Sequence, residues 1–130
     1  LFGRAGEEVQ TFRSYGVEPV VAAGLSSSYA APLAANIPLT HRGVSNQIVV
    51  CTGYGRDSTS VELPHYRDFC TVVLLMSVGR IGRIASELVD KGYPASMPVA
   101  IVENATSPKQ RVIKGCLRNI GEVAARHKAK

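Results

Sequence analysis

Three near-continuous apolar runs, 47–52 (QIVVCT), 71–76 (TVVLLM) and 98–102 (PVAIV), limit the fold more than any other feature of this chain. Strands with one face in water alternate apolar and polar residues, and these runs do not alternate. Each therefore reads as a strand covered on both faces, as in a sheet sandwiched between helices. Between the second and third runs, Ile81, Ile84, Ala85, Leu88 and Val89 fall on one helical face. Gly92 and Pro94 then stop that helix. After the third run, a loop with Asn104, Ser107 and Pro108 is long enough to turn the chain back, so 111–114 reads as the antiparallel partner of 98–102. Alternation of strands and helices with one antiparallel pair gives an α/β fold, a three-layer sheet of mixed direction.

The flanks fit the same pattern. Val9 and Phe12 recur at helical spacing, with Glu7 and Glu8 in the first turn and Gly16 at the end, which predicts a helix over 7–15. The β-branched run 19–23 predicts a short strand. Ser26 or Ser27 then caps a small-residue helix through Ala35, which Pro32 should bend or interrupt. A last helix from about Leu117 turns Ile120, Val123 and Ala124 inward. Ligands of α/β sheets sit at the carboxyl ends of strands, so 24–27, 52–55, 76–79 and 103–106 are the candidate site loops.

Composition narrows the function. With 130 residues, 45% of them hydrophobic, the chain can build one modest core. No apolar run approaches the roughly 20 residues that cross a bilayer, and no leader pattern opens the chain, so a soluble, cytoplasmic protein is expected. Cys51, Cys70 and Cys116 are odd in number, far apart and not in a CxxC pair, which gives no disulfide framework or zinc site and fits a reducing compartment. The net charge of +5 gathers partly in the tail at Arg126, His127, Lys128 and Lys130. It reads first as a solvated helix end, with nucleic acid and an anionic small substrate as equal alternatives. The start at Leu1 and Phe2, apolar and abrupt, leads us to expect a fragment.

Several motifs carry less than they promise. Gly53 and Gly55 follow a strand, but the third glycine of a dinucleotide turn is missing. The GxxG at 79–82, with Arg80 and Arg83, has the form of a nucleic-acid clamp, yet its glycines mark a strand-to-helix turn. His41, His65 and His127 are scattered without ligand spacing, so no metal site is expected. The adjacent His41 and Arg42 have the chemistry to meet a carboxylate-rich ligand.

Six segments, in order, resemble the uroporphyrinogen III C-methyltransferase family in its sirohaem-synthesising form: LFGRAGEE (1–8), GLSSSYAAP (24–32), IPLTHR (37–42), VVCTGYG (49–55), LLMSV (74–78) and PVAIVENATSPKQRVIKG (98–115). Together they cover nearly the whole chain. The resemblance implies a tetrapyrrole methylase-like fold of two α/β domains with the methyl donor in the cleft between them. This chain would hold the end of the first domain (1–40) and most of the second (41–130). It implies S-adenosylmethionine as cofactor, released as S-adenosylhomocysteine, uroporphyrinogen III as substrate, precorrin-2 as product, and a homodimer. Its cofactor residues fall on Leu1, Ser26, Ser27, Met76 and Ala105, where small residues admit close backbone approach and Leu1 and Met76 offer apolar surface. Ala105 stands where the family usually has glycine, and Tyr54 where histidine often follows the TG pair. Because the substrate carries eight carboxylates, Arg42, Arg56 and Arg80 are its candidate partners. No catalytic acid or base is assigned. The family's amino-terminal glycine-rich loop and GGDP turn would precede Leu1, so weak or no activity is expected of the isolated chain. The rival readings are a non-catalytic folding or dimerisation fragment and a sister methyltransferase acting on another corrin precursor.

Overall fold

The computed structural model describes residues 1–55 and 61–129. Helices α1 (Ala5–Ser14) and α2 (Ser27–Ala34) precede strands β1 (Gln47–Thr52) and β2 (Cys70–Leu75). A short 3-10 turn (Val78–Arg80) leads into α3 (Ile81–Asp90), and β3 (Pro98–Glu103), β4 (Arg111–Cys116) and α4 (Ile120–Arg126) complete the order.

The expected mixture of strand directions is present. β1 and β2 pair in parallel from Gln47↔Cys70 to Thr52↔Leu75, and β3 and β4 pair antiparallel from Pro98↔Cys116 to Glu103↔Arg111. Among the described residues these are two separate two-stranded ladders, not one continuous sheet. That separation explains why β1 and β2 are only half-buried, where burial on both faces was expected. A two-stranded ladder has edges on both sides and little area to cover. Among the described strand residues only Ile101 and the polar Glu103 of β3 and Ile113 of β4 are buried.

The core lies between the hairpin and the last two helices. Ile84, Ala85 and Leu88 of α3 meet Ile120 and Ala124 of α4 over Ile101 and Ile113, with Ile120 wholly enclosed. Burying one such aliphatic side chain stabilises by roughly 1.5–3 kcal/mol. Val89, expected on this face, is 37% exposed, because one residue beyond Leu88 the helix has turned about 100° away from the core. Leu117 is in the core, yet α4 begins only at Ile120. Its N–H donates to the Met97 carbonyl (3.0 Å), and Asn119 Oδ1 accepts from the Cys116 N–H (2.8 Å), which builds a turn before the helix. At the other end of the hairpin, half-exposed Arg111 pairs with buried Glu103 across the register. It also donates to the carbonyls of His127 (3.0 Å) and Lys128 (3.3 Å), tying down the end of α4.

The amino-terminal part packs differently. α1 starts two residues before the expected Glu7 and buries no residue. Its Arg4–Glu7 and Arg13–Glu18 pairs are exposed and contribute little. The run 19–23 forms no strand. Val20 and Val21 are 97% and 72% exposed, and among the described residues no backbone hydrogen bond ties the run to a strand. α2 contains Pro32 and ends two residues later, and it packs on β2 and β3. Among the described residues no helix is long and apolar enough to cross a membrane.

The α3–α4 contact depends on two glycines. A Cβ on Gly121 would lie 2.9 Å from the Gly82 Cα, with backbone on both sides of the collision. Gly121→Ala should therefore force the helices apart and lower the unfolding free energy by about 1–3 kcal/mol in urea denaturation. An unchanged midpoint would mean that the helices do not approach so closely.

Candidate functional site

Parallel pairing brings the carboxyl ends of β1 and β2 out side by side, and the chain turns sharply at both. Gly53 follows β1, and its N–H donates to the Leu75 carbonyl (2.8 Å), the last residue of β2. Met76 comes next with φ +55, a left-handed conformation that a non-glycine residue adopts at a cost of order 1–3 kcal/mol. This departure is why β2 stops at Leu75 and not at Met76. Ser77 is buried, and its Oγ donates back to the Leu75 carbonyl (2.9 Å). A Cβ on Gly53 would lie 2.5 Å from Ser77 Oγ and 2.8 Å from Ser77 Cα. Only glycine lets the two strand ends close up in this way.

The side chains above this turn form a second layer. Thr52 Oγ1 donates to the Tyr54 carbonyl (3.1 Å) and accepts from the Tyr54 N–H (3.3 Å), fixing the residue after Gly53. The Arg80 guanidinium then lies over the Tyr54 ring, 4.1 Å from its centroid. A small cavity of about 20 Å³ adjoins this corner, with Thr52, Gly53, Arg80, Arg83 and Ile84 among its lining residues.

Strain recurs at the end of β3. Asn104 has φ +48 and Thr106 φ +65, whereas Ala105 between them does not have positive φ. A left-handed threonine is unusual because its branched Cβ crowds the backbone. Among the described residues, three of the seven non-glycine residues with positive φ thus stand at the carboxyl ends of β2 and β3, a concentration typical of ligand-binding turns.

The third element is the start of α2. Ser26 caps it, its Oγ accepting from the Ser28 N–H (3.2 Å) and the Ser28 hydroxyl (2.9 Å). Neither bond uses the hydroxyl hydrogen of Ser26. Ser27 is exposed in the first turn. α2, whose cap and first turn carry Ser26 and Ser27, packs on both β2 and β3, the strands that Met76 and Ala105 follow. Met76 is 55% exposed, available to a ligand. Leu1 is 73% exposed and makes no hydrogen bond to these loops. Arg42 stands apart and exposed on the turn closed by the His41↔Ser45 bridge. Arg56 lies outside the described residues. Sequence reasoning missed Ser77, whose contact with Gly53 is visible only in three dimensions, and Gln110, which bonds both the Thr106 N–H and the Ala34 carbonyl.

Burial pushes the Cys51 thiol above its ordinary pKa, with Cys70 adding to the effect, so little of the nucleophilic thiolate forms at neutral pH. No group of three or more metal-ligating side chains occurs among the described residues.

Comparison with known proteins places this architecture. A family model described as tetrapyrrole (corrin/porphyrin) methylases matches residues 1–121. The chain is 38% identical over 122 residues to a probable uroporphyrinogen-III C-methyltransferase of Schizosaccharomyces pombe, covering 94% of this chain and 25% of that protein. It is 36% identical over 134 residues to a siroheme synthase of Gluconobacter oxydans, covering 100% of this chain and 28% of that protein. The chain thus spans about a quarter of the length of these curated relatives. Among solved structures, a uroporphyrin-III C-methyltransferase from Thermus thermophilus complexed with S-adenosylhomocysteine superimposes with a TM-score of 0.83 at 36% identity. The match covers 94% of this chain and 52% of that one. A cobalt precorrin-4 methyltransferase, at 20% identity and a TM-score of 0.82, shares the fold.

The Gly53–Ser77 contact makes its own prediction. Gly53→Ala should displace the 76–77 turn and cost about 2 kcal/mol of stability, read from the urea midpoint of the full-length protein. A variant as stable as the parent would show that the two strand ends are not in contact.

Proposed function

The chain belongs to the tetrapyrrole (corrin/porphyrin) methylase family, and from that premise we propose that it forms part of an S-adenosylmethionine-dependent enzyme that methylates uroporphyrinogen III, giving precorrin-2 for sirohaem. The observation that carries this reading is the pair of strained turns at Met76 and 104–106, which follow the two strands that α2 packs on. They lie within the stretch that overlaps the Thermus thermophilus enzyme complexed with S-adenosylhomocysteine.

The residues present fit such a cofactor. Ala105, flanked by two left-handed residues, presents its backbone amide without a bulky side chain, while its carbonyl accepts from the Thr106 hydroxyl (2.6 Å). Met76 offers exposed, polarizable apolar surface to an adenine ring, and Leu1 would extend that surface. The Ser26 hydroxyl and the exposed first turn of α2 supply hydrogen-bond donors. When bound, the cofactor supplies a methyl group already made electrophilic by its sulfonium. The protein's part is then to hold the methyl donor and an electron-rich pyrrole carbon in line, so no acid or base is assigned.

On the substrate side, Arg42, Arg56 and Arg80 are assigned to the carboxylates of the tetrapyrrole. The support for Arg80 is its stacked placement over Tyr54, which sets the guanidinium at the same strand ends as Met76. We divide the chain at 40/41. This division is supported by the core, whose buried members come from Leu63 onward. A homodimer is supported by the exposed apolar residues of the amino-terminal part, Val20, Val21 and Leu25 among them. A cytoplasmic setting is supported by three cysteines that remain free thiols.

The full-length protein, given uroporphyrinogen III and methyl-labelled S-adenosylmethionine, should place label on tetrapyrrole carbon. Label appearing only on another corrin precursor would overturn the substrate assignment. Arg42→Ala should raise KM for the tetrapyrrole about fivefold and leave that for the methyl donor unchanged. Unaltered kinetics would remove Arg42 from the site.

A further inference from the structure

We infer that Gln110 is a positioning residue for the methyl donor, its one side-chain amide locking the turn that carries Ala105 to the helix that carries Ser26 and Ser27. The inference rests on the proposed methyl transfer and extends it to a residue outside the candidate contacts.

Both ends of the Gln110 amide are used. Oε1 accepts from the Thr106 N–H at 2.6 Å, and Nε2 donates to the Ala34 carbonyl at 2.9 Å, across 76 residues of sequence. Each bond meets a specific need. Thr106 sits at φ +65, and a branched residue stays in that well only when its surroundings fix it more firmly than its own preference opposes it. A short bond from a half-buried acceptor supplies that constraint. At the other end, Ala34 closes α2, and no backbone N–H among the described residues reaches its carbonyl. Such terminal carbonyls need a donor from elsewhere, and Gln110 provides it.

The bridge therefore joins two loops that sequence places far apart. α2 is a rigid rod of eight residues, so fixing its end at Ala34 also fixes its start at Ser26 and Ser27. Among the described residues no other side-chain hydrogen bond connects the 104–106 turn to α2. Loss of the bridge would leave each loop folded and let the spacing between them drift. Preorganisation is lost that way while stability is nearly kept.

Two variants of the full-length protein separate this role from simple loop capping. Gln110→Ala removes both bonds. Gln110→Glu, ionised at neutral pH, still accepts from the Thr106 N–H but has nothing to donate to the Ala34 carbonyl. S-adenosylhomocysteine binding, measured by calorimetry, should weaken about tenfold in both variants. KM for the methyl donor should rise, and KM for the tetrapyrrole should not. Amide exchange without ligand should quicken at Thr106 in Gln110→Ala alone. If Gln110→Glu binds like the parent, the bridge to α2 has no positioning role and the inference falls, while the proposed function stands. If the parent itself fails to bind S-adenosylhomocysteine, the proposed function falls and takes the inference with it. If Thr106 exchange is unchanged in Gln110→Ala, the bond itself is refuted whatever the ligand does.

Discussion

The parallel pairing of β1 with β2 is the constraint on which the candidate site depends. Antiparallel strands would send their carboxyl ends to opposite edges, but the register from Gln47↔Cys70 to Thr52↔Leu75 delivers Gly53 and Met76 to the same edge. Once there, the two ends crowd. The crowding is relieved by a glycine on one side and a left-handed methionine on the other, with Ser77 bonded back beneath them. The Arg80–Tyr54 stack then builds on this corner, since both partners follow the strand ends within a few residues. The site is thus a consequence of strand direction before it is a consequence of any single side chain.

Stability and site geometry are separated in this chain. Among the described residues, the hairpin and the two last helices hold most of the buried apolar residues, around Ile120, with Leu63, Tyr93 and Leu117 joining them from the connecting segments. The strained turns sit at the rim of that core, at the carboxyl ends of β2 and β3. A backbone held in a disfavoured conformation persists only where firm structure surrounds it, and the antiparallel register between β3 and β4 supplies that firmness beside the 104–106 turn. The amino-terminal part makes a different contribution. It buries Ser28 and Leu39 and reaches the rest chiefly through α2.

What could be read from sequence followed the periodicity. The runs at 47–52, 71–76 and 98–102 became strands because unbroken β-branched and aliphatic residues fit a pleated surface. The helix at Ile81 followed from its 3.6-residue apolar stripe. The run at 19–23 has the same local chemistry as a strand, and it stays unpaired because pairing needs a neighbour that no local pattern reveals. For the same reason the described residues show two ladders where a single sheet was expected. Within the site, the loop locations followed from the rule for strand ends, and the residue types at Met76 and Ala105 came from the family resemblance. The left-handed turns at Met76 and Thr106 had no local signal, because neither residue type favours that conformation. Gln110 was invisible for a plainer reason: its two partners lie 4 and 76 residues away, and no short window contains them both.

The central claim is that strained strand ends and a capped helix start, far apart in sequence, form one seat for a methyl donor. A crystal structure of the full-length protein with S-adenosylhomocysteine tests it most directly. The account predicts the ligand in van der Waals contact with Met76, hydrogen-bonded to the backbone at Ala105, with the 76 and 104–106 turns unchanged. A ligand seated away from both turns, or turns that relax to ordinary backbone angles when it binds, would contradict it.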